Sequence, residues 1–224
     1  MIEARSLTVV YGRTLALDGI DLRISEGITG LFGQNGSGKS TLLRVLAGLL
    51  RPTSGTVTIG DAPLDLRDER FRRRLGYAGH DSGLYPHLTV GENLDLFGNL
   101  YGCPEDATDT ILERVGLADR KDARAGELSA GLRRRAAVAR ALLHDPDILL
   151  LDEPYANLDD DGAAAITAAI ESWRGPGKTG LVATHGAKRV KAYADAGVIL
   201  TRGTVTVSGS YRPESKLEGK WASK

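Results

Sequence analysis

Residues 33–40 read Gly33-Gln34-Asn35-Gly36-Ser37-Gly38-Lys39-Ser40, and this octapeptide indicates the fold class of the chain. It matches the pattern G-x-x-x-x-G-K-[ST], and it lies between a predicted strand at 28–32 and a predicted helix at 39–50, which is the context that this pattern requires. Glycines allow successive backbone N–H groups to turn toward one centre, and the start of the helix adds the positive end of its dipole. The pattern therefore predicts a loop that binds phosphate groups rather than a glycine-rich connector.

The side chains of this loop have separate predicted tasks. Lys39 can reach the β- and γ-phosphates of a nucleotide, and the Ser40 hydroxyl can bind Mg²⁺. Thr41 can add a hydroxyl near the α-phosphate. The remaining nucleotide-binding positions predicted in the loop are Gly33, Asn35, Gly36, Ser37 and Gly38.

A second element supports this prediction. Positions 148–151 are four consecutive aliphatic residues, and Asp152 and Glu153 follow them directly. A short apolar run of this kind indicates a buried strand, and open α/β sheets bind their ligands at the carboxyl ends of the strands. We therefore expect Asp152 to hold Mg²⁺ through water, and Glu153 to polarise an attacking water as the catalytic carboxylate.

Composition excludes several classes of protein. The chain has 224 residues, with 29 Lys and Arg against 29 Asp and Glu, so its formal net charge is zero and it is not expected to coat nucleic acid. No window approaches the roughly 18 apolar residues of a membrane-spanning helix, and no secretory signal opens the chain. The single cysteine, Cys103, can form neither an internal disulfide nor a cysteine-based zinc site. These observations predict a soluble cytosolic α/β protein.

The order of the predicted elements indicates an α/β core that is interrupted by helices. Alternating apolar residues predict strands over most of the first 30 positions, and later strands are predicted at 56–59, 148–152, 180–184, 198–201 and 204–208. Helices are predicted at 90–100, 106–115 and 131–144, and then at 162–173 and 187–194. We expect one domain over 1–210, with a RecA-like core at 1–79 and 147–209, a helical part at about 80–146, and a polar tail at 211–224.

The helical part contains the segment Leu128-Ser129-Ala130-Gly131-Leu132-Arg133-Arg134. With this segment, nearly the whole chain resembles the ATP-binding subunits of ABC transporters, whose signature motif is usually Leu-Ser-Gly-Gly-Gln. Ser129 and Gly131 keep that motif, whereas Ala130 and Leu132 depart from it. The resemblance implies an α/β fold with a P-loop NTPase core of ABC type, an N-terminal antiparallel β subdomain and a helical signature subdomain. It also implies ATP and Mg²⁺ as ligands, with Ser129 and Gly131 contacting the nucleotide.

The arginines after the signature motif break a local rule. Ser129 is a favourable N-cap residue, yet Arg133, Arg134 and Arg135 crowd the start of the helix, where cations oppose the helix dipole. An anion bound there would relieve the conflict, and in the resembling family that anion is the γ-phosphate of a nucleotide held by another protomer. The alternative is that these arginines point into solvent or pair with acidic residues.

Three further site residues are assigned by the resemblance alone. Tyr11 stands where the family has an aromatic residue that stacks on adenine, and His185 matches the switch histidine that contacts the γ-phosphate. His80 stands where the family has a glutamine that reaches Mg²⁺ and the attacking water. A neutral imidazole can accept a hydrogen bond or approach a metal, whereas imidazolium cannot.

His80 and Ala130 together narrow the resemblance. Tyr77-Ala78-Gly79-His80 and the Ser-Ala-Gly signature look like the ATP-binding subunit of the haem exporter used in cytochrome c maturation. This implies haem export. The alternative is another exporter, of drug, lipid or polysaccharide type.

The resemblance also implies partners. It implies a head-to-tail homodimer with ATP between the phosphate loop of one chain and Ser129 of the other, and a separate membrane permease at the cytoplasmic face of the cell membrane. The apolar residues Leu84, Tyr85, Pro86 and Leu88 predict a docking surface for that permease, with packing inside the helical part as the alternative. A soluble ABC ATPase of DNA repair or translation is less favoured, because the chain has no coiled-coil or zinc-bearing insertion and only one ATPase domain.

Overall fold

The computed structural model describes residues 1–65 and 67–210, so the predicted tail at 211–224 lies outside the described residues. The strands of the described part are β1 (Ile2–Tyr11), β2 (Thr14–Ile24), β3 (Gly27–Phe32), β4 (Ser54–Ile59), β5 (Ala62–Pro63), β6 (Leu75–Ala78), β7 (Ile148–Asp152), β8 (Thr179–Thr184), β9 (Ala196–Thr201) and β10 (Thr204–Ser210). Its α-helices are α1 (Lys39–Leu46), α2 (Glu69–Arg73), α3 (Val90–Tyr101), α4 (Ala107–Arg114), α5 (Ala130–Leu142), α6 (Asp160–Trp173) and α7 (Ala187–Lys191).

The strands form two sheets. An antiparallel sheet has the strand order β2-β1-β4-β5. A larger sheet has the order β10-β9-β3-β8-β7-β6, in which β10 is antiparallel to β9 and every other pair is parallel. The predicted α/β fold with an N-terminal antiparallel β subdomain is confirmed.

The larger sheet is buried on both faces, which explains the aliphatic sequence of β7. Ile148 and Leu150 belong to the apolar cluster that contains α1 and the antiparallel sheet, whereas Leu149 and Leu151 belong to the cluster that contains α5 and α6. Successive side chains of a strand point to opposite faces, so a central parallel strand needs apolar residues without interruption.

The segment between β6 and β7 carries α3, α4 and α5, as predicted, and its only strand-like pairing is an isolated bridge between Thr89 and Arg124. Val90 and Leu94 of α3 lie in the same apolar cluster as Ala78 of β6. α5 packs directly against β6 and β7, and α3 and α4 pack against α5. None of the helices in the described part of the chain is long and apolar enough to span a membrane.

Two helices end at least three residues earlier than the sequence predicts. α1 ends at Leu46 rather than near 50, and Gly48 follows with a left-handed φ of +67°. α7 ends at Lys191 rather than near 194. The basic run at 70–74, which the sequence indicates to be a solvated helix face, lies in and directly after α2, and Asp68 caps this helix by accepting a hydrogen bond from Arg70 N.

The strand order determines which loops meet. Strands β3, β8, β7 and β6 are neighbours and run parallel, so their carboxyl ends share one edge of the sheet. The segments after these strands contain the phosphate loop, His185, Glu153 and His80. The sheet therefore brings together motifs that are far apart in sequence.

Candidate active site

The glycines of the phosphate loop are required by the local backbone. Gly36 and Gly38 have left-handed φ values of +77° and +104° directly before α1. A Cβ on Gly33 would lie 2.4 Å from Leu200 O, and a Cβ on Gly38 would lie 2.7 Å from Ala16 O. Both the conformation and the close packing therefore exclude larger residues from Gly38.

Lys39 lies across this loop with only 6% of its surface exposed. Its Nζ donates hydrogen bonds to Gly33 O at 2.7 Å and Gln34 O at 3.1 Å, and it lies 3.9 Å from Glu153 Oε1. Burial lowers the pKa of Lys39, although the nearby Glu153 and Asp152 carboxylates act in the opposite direction. A cation held at this place is suited to stabilise the negative charge of phosphate groups.

Asp152 ends β7 and is 3% exposed. Its Oδ1 has no hydrogen-bond partner among the residues that the structure describes. Burial raises the pKa of Asp152, and a hydrogen bond from the Ser40 hydroxyl is the largest opposing influence. A buried carboxylate oxygen without a partner, beside a serine hydroxyl, fits the oxygen-ligand preference of Mg²⁺ or of a water bound to it.

The protein alone does not offer a closed metal cage. In the described ranges, no group of three or more His, Cys, Asp or Glu residues could hold a metal ion. Mg²⁺ usually keeps several waters and binds through one or two protein oxygens together with substrate phosphates. Asp152 and Ser40 agree with this kind of site.

Glu153 is fixed by the end of the neighbouring strand. Its carboxylate accepts hydrogen bonds from Thr184 Oγ1 at 3.0 Å and from His185 N at 2.8 Å, and the His185 Nδ1 lies 2.9 Å from Oε1. The backbone of Glu153 has a left-handed φ of +50°, which is unusual for a residue other than glycine. Glu153 and His185 therefore form one unit, while 61% of the His185 side chain stays exposed.

Most of the predicted site residues line one cleft of about 550 Å³. Tyr11 and His80, like Lys39, Asp152 and Glu153, contribute to its wall. Tyr11 is 44% exposed at the end of β1, and His80 is exposed just after β6. The other predicted residues in the lining are Asn35, Gly36, Gly38, Ser40, Thr41 and His185. Gly33 and Ser37 contribute to the loop itself, and the Ser37 hydroxyl is buried without a hydrogen-bond partner in the described part of the chain.

The two signature residues do not line this cleft. The exposed Ser129 caps α5, because its side chain accepts a hydrogen bond from Leu132 N at 3.2 Å. Gly131 packs against the loop after Glu153, and a Cβ there would lie 2.5 Å from Asn157 O. Within one chain, Ser129 and Gly131 therefore lie outside the cleft, although the adjoining pocket at Ala130 and Arg133 shares His80, Arg134 and Asn157 with it.

The three arginines after the signature motif donate to backbone carbonyl groups. Arg133 donates to Leu128 O at 2.8 Å, and Arg135 donates to Gly116 O at 2.8 Å. Arg134 turns inward and is only 8% exposed. The alternative of solvent or an acidic partner is wrong for Arg134, since its side chain is buried and donates its hydrogen bonds to backbone carbonyl groups. Its contacts are set by tertiary structure, so no local sequence signal could have revealed them.

Comparison with known proteins gives a consistent result. The ABC transporter family matches residues 17–156 of the chain. The chain is 34% identical over 224 residues to the Nod factor export ATP-binding protein I of Burkholderia lata, covering 98% of this chain and 73% of that protein. The chain belongs to the ABC transporter family.

Two more members of this family are similar in sequence. The ABC transporter ATP-binding protein NatA of Bacillus subtilis is 35% identical over 201 residues, covering 87% of this chain and 82% of NatA. The daunorubicin resistance ATP-binding protein DrrA3 of Streptomyces coeruleorubidus is 36% identical over 205 residues, covering 89% and 65% of the two chains. This chain spans 63% of the length of the Nod factor export ATP-binding protein I of Cupriavidus metallidurans.

Solved structures share the fold. The dimeric post-hydrolysis state of the ATP-binding cassette MJ0796 bound to ADP and Pi has a TM-score of 0.86 at 28% identity, covering 95% of this chain and 99% of that chain. An ATP-binding subunit of an ABC transporter has a TM-score of 0.84 at 27% identity, covering 94% and 90%. The chain therefore carries an ABC ATPase domain.

Proposed function

We propose that this ABC ATPase domain binds and hydrolyses ATP as the motor subunit of an exporter. The observation that carries the proposal is the convergence of Lys39, Asp152 and Glu153 at the carboxyl edge of the larger sheet. The names of the relatives from Burkholderia lata and Streptomyces coeruleorubidus refer to export and drug resistance, which favours an exporter.

The chain's own residues account for ATP binding and water activation. The phosphate loop and Lys39 hold the phosphate groups, and Tyr11 offers a ring at the mouth of the cleft for the adenine. Glu153 orients the attacking water, and the His185 backbone N–H and ring fix the carboxylate in place. Phosphoryl transfer needs mainly such positioning and charge stabilisation.

Mg²⁺ would be held by Ser40 and Asp152, with His80 beside them, and when bound it supplies positive charge against the phosphate oxygens. The unpartnered Asp152 Oδ1 supports this assignment. His80 is proposed to replace the usual glutamine because it follows β6 and lines the same cleft. His185 is proposed to contact the γ-phosphate, since it is exposed at that edge while remaining bound to Glu153.

A second copy of the chain is proposed to complete each site. Ser129 and Gly131 lie outside the cleft of their own chain, so a nucleotide there would meet Ser129 only from another protomer. A two-fold head-to-tail pair would form two such sites. The solved MJ0796 structures are described as dimeric, which supports this arrangement.

A membrane permease at the cytoplasmic face is the proposed second partner. Tyr85 is 54% exposed, and Leu96 and Leu100 on α3 are 38% and 64% exposed. Leu84, in contrast, is partly buried against the core of the helical segment. Within the predicted docking surface, Tyr85 is therefore accessible to a partner, whereas Leu84 packs inside the helical segment.

The cargo is proposed to be a small molecule exported by that permease. Haem is one candidate because His80 and the Ser-Ala-Gly signature occur together, but the names of the relatives above refer to Nod factors and daunorubicin rather than to haem. Those names favour the alternative exporter class. Deletion of the gene distinguishes the two, since only a haem exporter subunit is expected to be needed for covalent haem in c-type cytochromes.

A Glu153→Gln variant tests the proposed mechanism. It should bind MgATP but hydrolyse it at least about 100-fold more slowly, and it should accumulate as a dimer in size-exclusion chromatography with light scattering. Glu171→Gln, which changes an exposed carboxylate on α6, is the matched control. A Glu153→Gln protein that stays monomeric with saturating MgATP and its membrane partner would show that the dimer proposal is wrong.

Permease docking has its own test. Tyr85→Ala and Leu100→Ala should reduce recovery of the chain with membranes that contain its permease, because both remove exposed apolar surface. Leu49→Ala removes a similarly exposed side chain, 58% exposed after α1, and should have no effect. Equal recovery of all three variants would place docking elsewhere.

A further inference from the structure

The Arg134 guanidinium is buried between the ends of two strands and makes three contacts there. It donates to Gly79 O at 2.6 Å, to Asp152 O at 3.2 Å and to His80 O at 3.3 Å. A buried cation is costly unless hydrogen bonds replace its lost hydration. These three carbonyl oxygens provide that replacement, although burial still lowers the pKa of Arg134.

The three acceptors belong to the two segments that must be aligned at the site. Gly79 and His80 directly follow β6, and Asp152 ends β7. Arg134 itself lies in the second turn of α5, the helix that begins after Ser129. One planar side chain therefore joins the His80 segment, the Asp152 backbone and the signature helix. A planar guanidinium can hold several acceptors in fixed directions, which an ammonium or an amide cannot do.

We propose that Arg134 is a positioning residue for ATP hydrolysis: it fixes the distance between His80 and Asp152 and holds α5 against both. The inference rests on the proposed role of His80 at the site. Arg134 also contributes to the wall of the cleft. Its guanidinium is held by the carbonyl oxygens of Gly79, His80 and Asp152, so its expected role is to fix the backbone rather than to bind the nucleotide.

Arg140 is a matched control on the same helix. It donates to Tyr77 O of β6 at 3.0 Å and lies above the Phe97 ring at 5.0 Å, and burial lowers its pKa too. It therefore joins α5 to the same strand through a carbonyl group, but its hydrogen bond to Tyr77 O involves neither His80 nor Asp152. Loss of Arg140 should affect the packing of the helix without affecting the alignment of the site.

The experiment compares Arg134→Gln, Arg134→Lys, His80→Ala and Arg140→Gln in the full chain with MgATP. Loss of an outer contact to a metal-site residue commonly reduces activity 10- to 100-fold. We expect a decrease of about that size in kcat for Arg134→Gln, with KM changed less than about threefold, because Lys39 and the phosphate loop are intact. Arg134→Lys should lie between wild type and Arg134→Gln. Arg140→Gln should keep the wild-type kcat at temperatures well below its melting point.

A second measurement does not depend on hydrolysis. Amide hydrogen exchange without nucleotide should be at least about tenfold faster over residues 151–153 in Arg134→Gln. The end of β7 loses the hydrogen bond to Asp152 O, and its own protected N–H groups, such as Glu153 N bonded to Ala183 O, then open more often. The same peptide should be unchanged in Arg140→Gln. If Arg134→Gln does not fold, as judged by its melting curve, Arg134→Lys provides the comparison for both measurements.

The double variant His80→Ala/Arg134→Gln separates the possible outcomes. If Arg134 acts through His80, the double variant should lose little more activity than His80→Ala alone. Additive losses, or equal changes of kcat in Arg134→Gln and Arg140→Gln, would overturn the inference. A normal kcat in Arg134→Gln beside a lowered kcat in His80→Ala would overturn it while leaving the proposed function intact. A normal kcat in His80→Ala would refute the proposed role of His80 itself and this inference with it.

Discussion

The cleft at the carboxyl edge of the larger sheet and the signature end of α5 use their polar groups differently. In the cleft, a buried oxygen of Asp152 has no partner among the described residues, and Lys39 lies next to two carboxylates. At the signature end, the Ser129 hydroxyl is already used as a helix cap, and Gly131 is packed against Asn157. The first region is preorganised for a ligand within one chain. The second is a capped helix start at which Ser129 is exposed at the surface.

Substitutions in the two regions should therefore differ in how much they change activity and how much they change stability. Changes in the cleft remove charges that a ligand would use, so they should reduce activity more than stability. Changes at the signature end remove contacts that the chain makes with itself, so they should affect stability as well.

Lys39→Ala should have the largest effect on activity. Removing one preorganised positive group from a charge-stabilising site commonly costs about 10² to 10³ in kcat. ATP hydrolysis should fall by at least that factor, whereas the melting temperature should fall only modestly, because removal of a buried positive charge offsets the loss of the hydrogen bonds to Gly33 O and Gln34 O. Lys121→Ala, which removes an exposed ion pair with Asp109, is the control and should hydrolyse ATP normally.

Gly131→Ala should destabilise the protein by about 1 to 3 kcal/mol, the range for overpacking. The new Cβ would lie 2.5 Å from Asn157 O, so the loop after Glu153 must shift. Gly98→Ala in α3 is the matched helical control. Its Cβ would meet its nearest neighbours at 3.7 Å, and it should stabilise the protein by about 0.5 to 1 kcal/mol. Unfolding curves in denaturant measure the change in stability of both variants. Changes of the same sign would contradict the packing argument.

Lowering the pH should reduce the free energy of unfolding through His144, which lies just after the end of α5. Burial lowers the pKa of His144 to about 4, and its ring stacks on Tyr101 with centroids 4.0 Å apart. The unfolded chain binds a proton near pH 6.5 and the folded chain does not, so the contribution of His144 is present above pH 6.5 and is lost as the pH falls toward 4. At pH 5 the loss is about 2 kcal/mol.

Two variants isolate that contribution in urea unfolding curves at pH 7 and pH 5. His144→Phe keeps an aromatic ring beside Tyr101 but cannot bind a proton, so its stability should fall less between the two pH values than that of the wild type. His87→Gln changes an exposed histidine and should behave as wild type. Identical pH dependence of all three proteins would exclude His144 as the cause.

Ser129→Ala should combine a small loss of stability with a loss of activity. Removing the cap costs about 1 kcal/mol, and Thr89→Ala, which removes the equivalent cap of α3, should cost about the same. Hydrolysis should fall about tenfold only in Ser129→Ala, because only this hydroxyl is proposed to face a second nucleotide. If both variants hydrolyse ATP at similar rates, Ser129 has only a structural role.

The sequence predicted the parts of the molecule that depend on local pattern. A few consecutive residues are enough to recognise the phosphate loop with its glycines and Lys39. The same is true of the two acids that follow the aliphatic run. Strand order, in contrast, depends on contacts between distant segments, so the adjacency of β6 and β7 was not predictable from periodicity. The same applies to Arg134. Its three acceptors come from two strands, and the dipole rule could indicate only that the residue was unusual.

The left-handed backbone of Glu153 has a consequence for the evolution of this site. A residue other than glycine at φ +50° is held there at a cost of about 1 to 3 kcal/mol. Glycine would relieve that strain but would abolish the carboxylate that His185 and Thr184 hold. The chain thus retains a less stable residue at the position of the proposed catalytic carboxylate. Selection for thermal tolerance alone should favour glycine at this position, and the survivors should be inactive.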